Sequence, residues 1–360
     1  MSSTLAHEIP VNVRCHCGHV AFNLKVPKEM FPLKSSLCHC RSCRHATGQL
    51  FATFAVIPTA IPSEIHQDNS DSLAVYRSSS TILRFFCKNC GASIANFDSA
   101  GDGECELATG CLDFPGEISG HEYKLNRVQL WVEDVKGDGG AAGWINAGKL
   151  AGMDRHWRGR DSPMVSDANI EGILAGEHGE QPIRSSGESE HRGRDDELNF
   201  RCHCDIVSLN ISRPDEQYNQ ATGKFESGLD ACTSCRLVTG FEITGWARVP
   251  QELINTPAPS FNAYLADRSR LKHYKTSADV SRYFCGTCGA TVFYQKHGLD
   301  TIDIGIGLLD PPNPEDARAE DWLVWQKYPT GMSYPENAID QKFVKDLADG
   351  LRSHKGAGDV

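Results

Sequence analysis

The chain has 360 residues, 40% hydrophobic and 23% charged, the balance of a folded protein long enough for two ordinary domains. Its net charge of −11, with no Lys/Arg block at either end, argues against a nucleic-acid or anionic-membrane partner, since both need a basic footprint. No apolar stretch approaches the length that crosses a bilayer, and residues 1–10 lack a secretory pattern, so a cytoplasmic location is expected. Cysteine is the abnormal count, 15 in all; in a reducing compartment, close-set cysteines more often hold metal than pair as disulfides.

In chain order, Cys15-His16-Cys17 leads into an alternation at Val20, Phe22, Leu24 and Val26 that predicts a strand with one face buried. Cys38-His39-Cys40-Arg41-Ser42-Cys43-Arg44 follows, then Thr47-Gly48 and a strand-like run over residues 51–57. Leu73 and Tyr76 precede Arg84-Phe85-Phe86-Cys87-Lys88-Asn89-Cys90-Gly91, and Leu112-Asp113 comes after. Residues 154–197, rich in Gly, Ser, His and charge, read as a mobile linker with a short helix around 170–174.

The same order then recurs. Cys202-His203-Cys204 precedes a strand marked by Val207, Leu209 and Ile211, and Asp230-Ala231-Cys232-Thr233-Ser234-Cys235-Arg236 comes before Thr239-Gly240. Strands are expected over 241–249 and at Ile302, Ile304 and Ile306. Leu271, Tyr274, Arg282-Tyr283-Phe284-Cys285-Gly286-Thr287-Cys288-Gly289 and Leu309-Asp310 match their counterparts in the first half. So many coincidences in one order mean duplication. Past Pro335, Ile339, Phe343, Leu347 and Leu351 recur every four residues and predict a helix over 336–352, expected to cap the second repeat rather than to form a dimer contact.

Zinc takes four tetrahedral ligands and favours thiolate, and a Cys-x₂-Cys knuckle supplies two from one turn. Joining each knuckle to its opening pair gives two closed, structural sets: Cys15, Cys17, Cys87, Cys90 and Cys202, Cys204, Cys285, Cys288. Cys38, Cys40 and Cys43 offer three thiolates, the number that leaves a catalytic position open; closure by His39, His45 or a remote residue is the alternative. In the second repeat, Asp230 stands in place of the first of these thiols. Asp230, Cys232 and Cys235 therefore read as a weakened or altered metal site, and the first repeat as the working one. Arg44 and Arg236 are placed to steady thiolate charge, to bind a substrate carboxylate or to make an ordinary surface salt bridge. Cys105 and Cys111, and Trp131, Trp144, Trp322 and Trp325, read mainly as core.

Taken together, Cys-x-Cys, Cys-x-Cys-x₂-Cys-Arg with Thr-Gly, and Arg-x-Phe-Cys-x₂-Cys-Gly resemble the glutathione-dependent formaldehyde-activating enzyme (CENP-V/GFA) family, in two tandem copies. The resemblance implies a mainly β, β-tent-type zinc fold over 10–150 and 198–335, with the linker between and the helix behind. It implies a structural zinc on each outer set and a second zinc on Cys38, Cys40 and Cys43, with glutathione as the thiol co-substrate. The implied activity is a zinc-dependent carbon–sulfur lyase acting on thiol adducts of a small electrophile. The alternatives are hydrolysis or dehydration without thiol, and a non-catalytic zinc scaffold. About three zinc ions per chain are expected, from the two closed sets and one open one.

Overall fold

The computed structural model describes residues 8–57, 71–100, 104–114, 124–145, 152–166, 169, 196–214, 222–327 and 332–354. The first half runs β1 (Glu8–Arg14), β2 (Ala21–Pro27), β3 (Leu33–Cys38), β4 (Ala52–Ile57), β5 (Leu73–Arg77), β6 (Ile82–Cys87), β7 (Ser93–Asp98), β8 (Cys105–Ala108), β9 (Leu112–Asp113) and β10 (Leu125–Leu130). A small sheet, β2-β1-β9, faces a seven-stranded sheet in the order β10-β3-β4-β8-β7-β6-β5.

The second half adds β11 (Glu197–Arg201), β12 (Ser208–Ser212), β13 (Phe225–Asp230), β14 (Thr244–Pro250), β15 (Ile254–Asn255) and β16 (Leu271–Ser277). It continues with β17 (Val280–Cys285), β18 (Thr291–Lys296), β19 (Thr301–Gly305), β20 (Leu309–Asp310), β21 (Leu323–Trp325) and β22 (Met332–Ser333). Its large sheet, β21-β13-β14-β19-β18-β17-β16, repeats the first strand for strand, with β22 also on β13. Even the parallel pairing recurs: β10 lies along β3 as β21 and β22 lie along β13. The fold is mainly β in two similar halves, as the alternating segments predict. Among the described residues, no helix is long and apolar enough to cross a membrane.

The halves do not stand apart. One apolar cluster contains Leu37, Phe51 and Trp144 from the first half and Phe200, Ile243, Phe293 and Trp325 from the second. Every residue of β4 is buried, where a one-sided strand would alternate. One of its side chains, Phe54, meets Phe241 of the other half edge-to-face, with ring centres 5.5 Å apart.

The contacts between halves come in reciprocal pairs, as across a two-fold axis. The His16 N–H donates to Leu237 O and the His203 N–H to His45 O, both at 3.0 Å. His16 Nδ1 meets the Tyr274 hydroxyl at 2.9 Å, and His203 Nδ1 meets that of Tyr76 at 2.7 Å. The matched Thr-Gly pairs belong to this interface. Gly48 and Gly240 adopt φ of +76° and +88°, and a Cβ on either would strike a backbone carbonyl of the other half, at Thr291 and Ser93 respectively.

The final helix spans Gln341–Ser353, capped by Asp340, whose Oδ1 accepts the Phe343 N–H at 2.9 Å. Phe343, Leu347 and Leu351 are buried as the stripe predicts, while Ile339 falls before the helix. The helix packs on more than the second repeat: Gly350 lies against the backbone of Trp144, and Phe343 against Phe51. Of the expected linker, residues 154–166 are described and hydrogen-bonded, and the short helix expected around 170–174 lies outside the described residues.

Candidate metal centres

Both outer sets assemble where the small sheet meets the far end of the large one. Cys15 and Cys17 sit in the turn from β1 to β2, and Cys87 and Cys90 in the turn after β6. All four sulfurs lie within 4.8 Å of one another, and so do those of Cys202, Cys204, Cys285 and Cys288. Gly91 and Gly289, at φ +83° and +79°, close the two knuckles, and the Val20 N–H donates to Cys15 Sγ at 3.4 Å. The sulfurs compete for protons. A hydrogen bond with Cys90 pulls Cys17 down to about 5, while the Cys15 sulfur pushes Cys87 up to about 12. A divalent cation removes that conflict by taking the place of the protons.

The middle sets rest on the strand end and short helix that follow β3 and β13. Cys38 ends β3, Cys40 caps the helix Arg41–Thr47, and Cys43 lies in its first turn with its N–H donating to Cys40 Sγ at 3.2 Å. In the second half, Asp230 ends β13, Cys232 caps the helix Thr233–Thr239, and the Cys235 N–H donates to Cys232 Sγ at 3.3 Å. The donor atoms of each trio lie within 4.8 Å of one another. Hydrogen bonds with Cys38 and Cys40 hold Cys43 well below the ordinary thiol value, with Arg84 adding attraction. The Cys40 sulfur pushes Cys38 up. Three thiols in this conflict form a donor set suited to zinc.

Neither histidine joins the first trio. His39 is fully buried with Nε2 on Gln129 Oε1 at 3.1 Å, and His45 Nδ1 donates to Arg201 O at 2.8 Å. Burial holds both near a pKa of about 4, and therefore neutral. Arg44 is 1% exposed and reaches across to Pro314 O at 3.2 Å, while Arg236 donates to Gly110 O at 2.5 Å. Both arginines belong to the seam between halves.

The cations that do touch the sulfurs lie elsewhere. Arg84 Nη2 donates to Cys43 Sγ and Arg282 Nη2 to Cys235 Sγ, each at 3.3 Å. Sequence reasoning assigned them no role. The available signal was an arginine kept three residues before the knuckle in both repeats. Trp144, Trp322 and Trp325 are core, whereas Trp131 is 37% exposed on a left-handed turn that Tyr334 repeats in the second half. Cys105 and Cys111 are fully buried.

The two middle sites differ in their surroundings. Residues 152–166 form a strap along β10: the Gln129 N–H donates to Asp154 O at 2.8 Å, the His156 N–H to Gln129 O at 2.9 Å and the Trp131 N–H to Arg158 O at 2.9 Å. The strap pairs Arg158 with Glu133 at 2.6 Å and carries Arg160 to Ser35 O at 2.8 Å. In the second half, Ser227, the counterpart of Ser35, lines an open cavity of 680 Å³ that reaches Asp230, Cys232 and Cys235.

A family model described as glutathione-dependent formaldehyde-activating enzyme matches residues 10–134 and again 197–325, together more than half of the chain. A relative from Sordaria macrospora, assigned by name to those enzymes, is 31% identical over 24% of this chain and 36% of its own length. One from Emericella nidulans, assigned likewise, is 28% identical over 22% of this chain and 39% of its own. An uncharacterized lyase of Schizosaccharomyces pombe is 34% identical over 23% of this chain and 53% of its own. The matched stretch thus spans between 36% and 53% of these relatives. Two family matches over two halves whose large sheets share one strand order lead to one conclusion: the chain belongs to the glutathione-dependent formaldehyde-activating enzyme family, in two tandem copies.

Proposed function

We propose that the first half is a zinc-dependent carbon–sulfur lyase-type site, acting on adducts between a glutathione-type thiol and a small electrophile. The observation that carries this reading is the trio Cys38, Cys40 and Cys43, which has no fourth protein ligand among the described residues. Zinc on three thiolates keeps one position for a further ligand and lowers the pKa of a thiol placed there.

The chain's own groups supply the rest. Arg84, donating to Cys43 Sγ, offsets the negative charge that gathers on the sulfurs. Cys40 Sγ is fixed by the Cys43 N–H, so the trio is oriented before any substrate arrives. Arg160, brought in by the strap, also acts on Glu106 and provides a guanidinium to pair with a carboxylate of a peptide thiol. The buried, neutral His39 and His45 leave proton transfer to the substrate thiol and solvent.

Cys40→Ser in the zinc-loaded protein tests the reading through turnover of the glutathione–formaldehyde adduct. A loss of roughly a hundredfold or more is expected, because removing one ligand empties the site. Unchanged turnover, with metal analysis showing the middle zinc gone, would overturn the proposal.

A further inference from the structure

We infer that the second half carries a separate binding site, in which Asp230, Cys232 and Cys235 hold a divalent metal and Arg282 receives a short carboxylate with a second oxygen donor.

Three observations carry it. The first is Arg282 itself. It is 3% exposed and lines the 680 Å³ cavity, yet among the described residues only Nη2 is hydrogen-bonded, to Cys235 Sγ, while Nε and Nη1 meet no acceptor. In the first half, the matching Arg84 Nε is met by Ser78 Oγ at 2.9 Å. Buried donors left unpaired cost free energy unless a ligand meets them. A guanidinium fork is shaped for a carboxylate. Steadying Cys235 explains one nitrogen of the three.

The second is the wall of the cavity. The Arg282 guanidinium carbon lies 4.3 Å from the Tyr294 ring centre and 5.7 Å from that of Trp246, contacts that hold its plane. By strand register, Tyr294 stands where the first half has Asn96, Trp246 where it has Phe54, and Arg248 where it has Val56. Arg248 is held at the rim by Asp303 at 3.2 Å and Glu226 at 3.8 Å. Relative to the first half, this wall has gained one ring, enlarged another and placed a cation on the strand itself, changes that simple decay does not account for.

The third is the donor set. Asp230 Oδ1 accepts the Cys232 N–H at 2.8 Å, so the carboxylate is fixed beside the two sulfurs. One oxygen and two sulfurs donate less electron density than three sulfurs do, which turns a bound metal toward oxygen ligands. The first trio suits a thiol and the second an oxygen compound. This site is independent of the lyase reading, and each can fail alone.

The test uses full-length Cys40→Ser, which removes the first open site, loaded with cobalt(II) and titrated with glycolate. The expected result is a saturable change in the cobalt absorption bands, with affinity weakened roughly tenfold by Arg282→Gln at unchanged metal content. Arg282→Lys, which keeps the charge and loses the fork, should weaken binding similarly, and circular dichroism checks its fold. Asp230→Ala should lower the cobalt content by one ion per chain. A spectrum indifferent to glycolate in the folded protein, an affinity in both arginine variants equal to that of the Cys40→Ser parent, or unchanged cobalt content in Asp230→Ala would each overturn the inference.

Discussion

Arg127 offers the sharpest test of how the halves are joined. It leaves β10 of the first half and forks onto Glu242 of the second, Nη1 to Oε1 at 2.9 Å and Nη2 to Oε2 at 3.0 Å. Nη2 also reaches Asp340 Oδ2 at 3.1 Å, at the cap of the final helix, and the guanidinium carbon sits 4.5 Å from the Phe343 ring centre. The Arg127 and Glu242 side chains are only 4% and 2% exposed. Arg127→Met strands the Glu242 carboxylate in the interior, and breaking a buried pair in this way costs about 3–5 kcal/mol. Glu242→Met should cost less, because Asp340, 21% exposed, still balances the arginine. The double variant replaces both charges by apolar volume and should fall within about 1 kcal/mol of the wild type or exceed it. The two losses therefore do not add, and the coupling energy should be about 3 kcal/mol or more. Urea unfolding with zinc at saturation, followed by tryptophan fluorescence and circular dichroism, measures all four corners of the cycle. An Arg127→Met cost under about 1 kcal/mol, or a double variant as unstable as the sum of the singles, would refute the reasoning.

Four further outcomes are expected. Burial, with repulsion from Asp138, Asp321 and Glu315, raises the half-buried Asp316 from 3.8 to about 6. A carboxyl with a raised folded pKa weakens the fold as pH climbs between those values, so Asp316→Asn should gain about 1 kcal/mol near neutrality, after discounting for solvent screening, and nothing near pH 3. An equal gain at both pH values in chemical denaturation would rule this out. Metal analysis should find four ions per chain, one for each donor group, where the sequence alone led to an expectation of three. Strong chelation should melt both halves in one transition, because they share a core; two separated transitions would contradict that. Gly240→Ala should cost about 3 kcal/mol or more, combining left-handed strain with the collision at Ser93 O. Gly223→Ala, at φ +61° with nothing near its Cβ, should cost only about 1 kcal/mol, and equal losses would show that the seam is not the cause.

The duplication and the donor groups were legible in the order of residues, because a metal knuckle is a local device and its spacing carries its chemistry. The strands were legible for the same reason: alternation at Leu209 and Ile211, or at Ile302 and Ile304, records a buried face. What covers a face is not written in its period. Phe54, Phe51 and the final helix read as parts of separate domains, yet they meet Phe241, Phe343 and Trp144 across the seam. Arg44 and Arg236 stand beside the cysteines in sequence, but short helices turn them into the interface, while Arg84 and Arg282 arrive from distant strands to touch the sulfurs. The strap escaped notice because it is held mainly by backbone hydrogen bonds to β10, which composition does not encode. Sequence determined which residues gather into each donor group. Only the tertiary structure decided that a strap lies along β10, the strand next to the one that ends in Cys38, while the other middle site opens on a cavity, because that contrast depends on segments far apart in the chain.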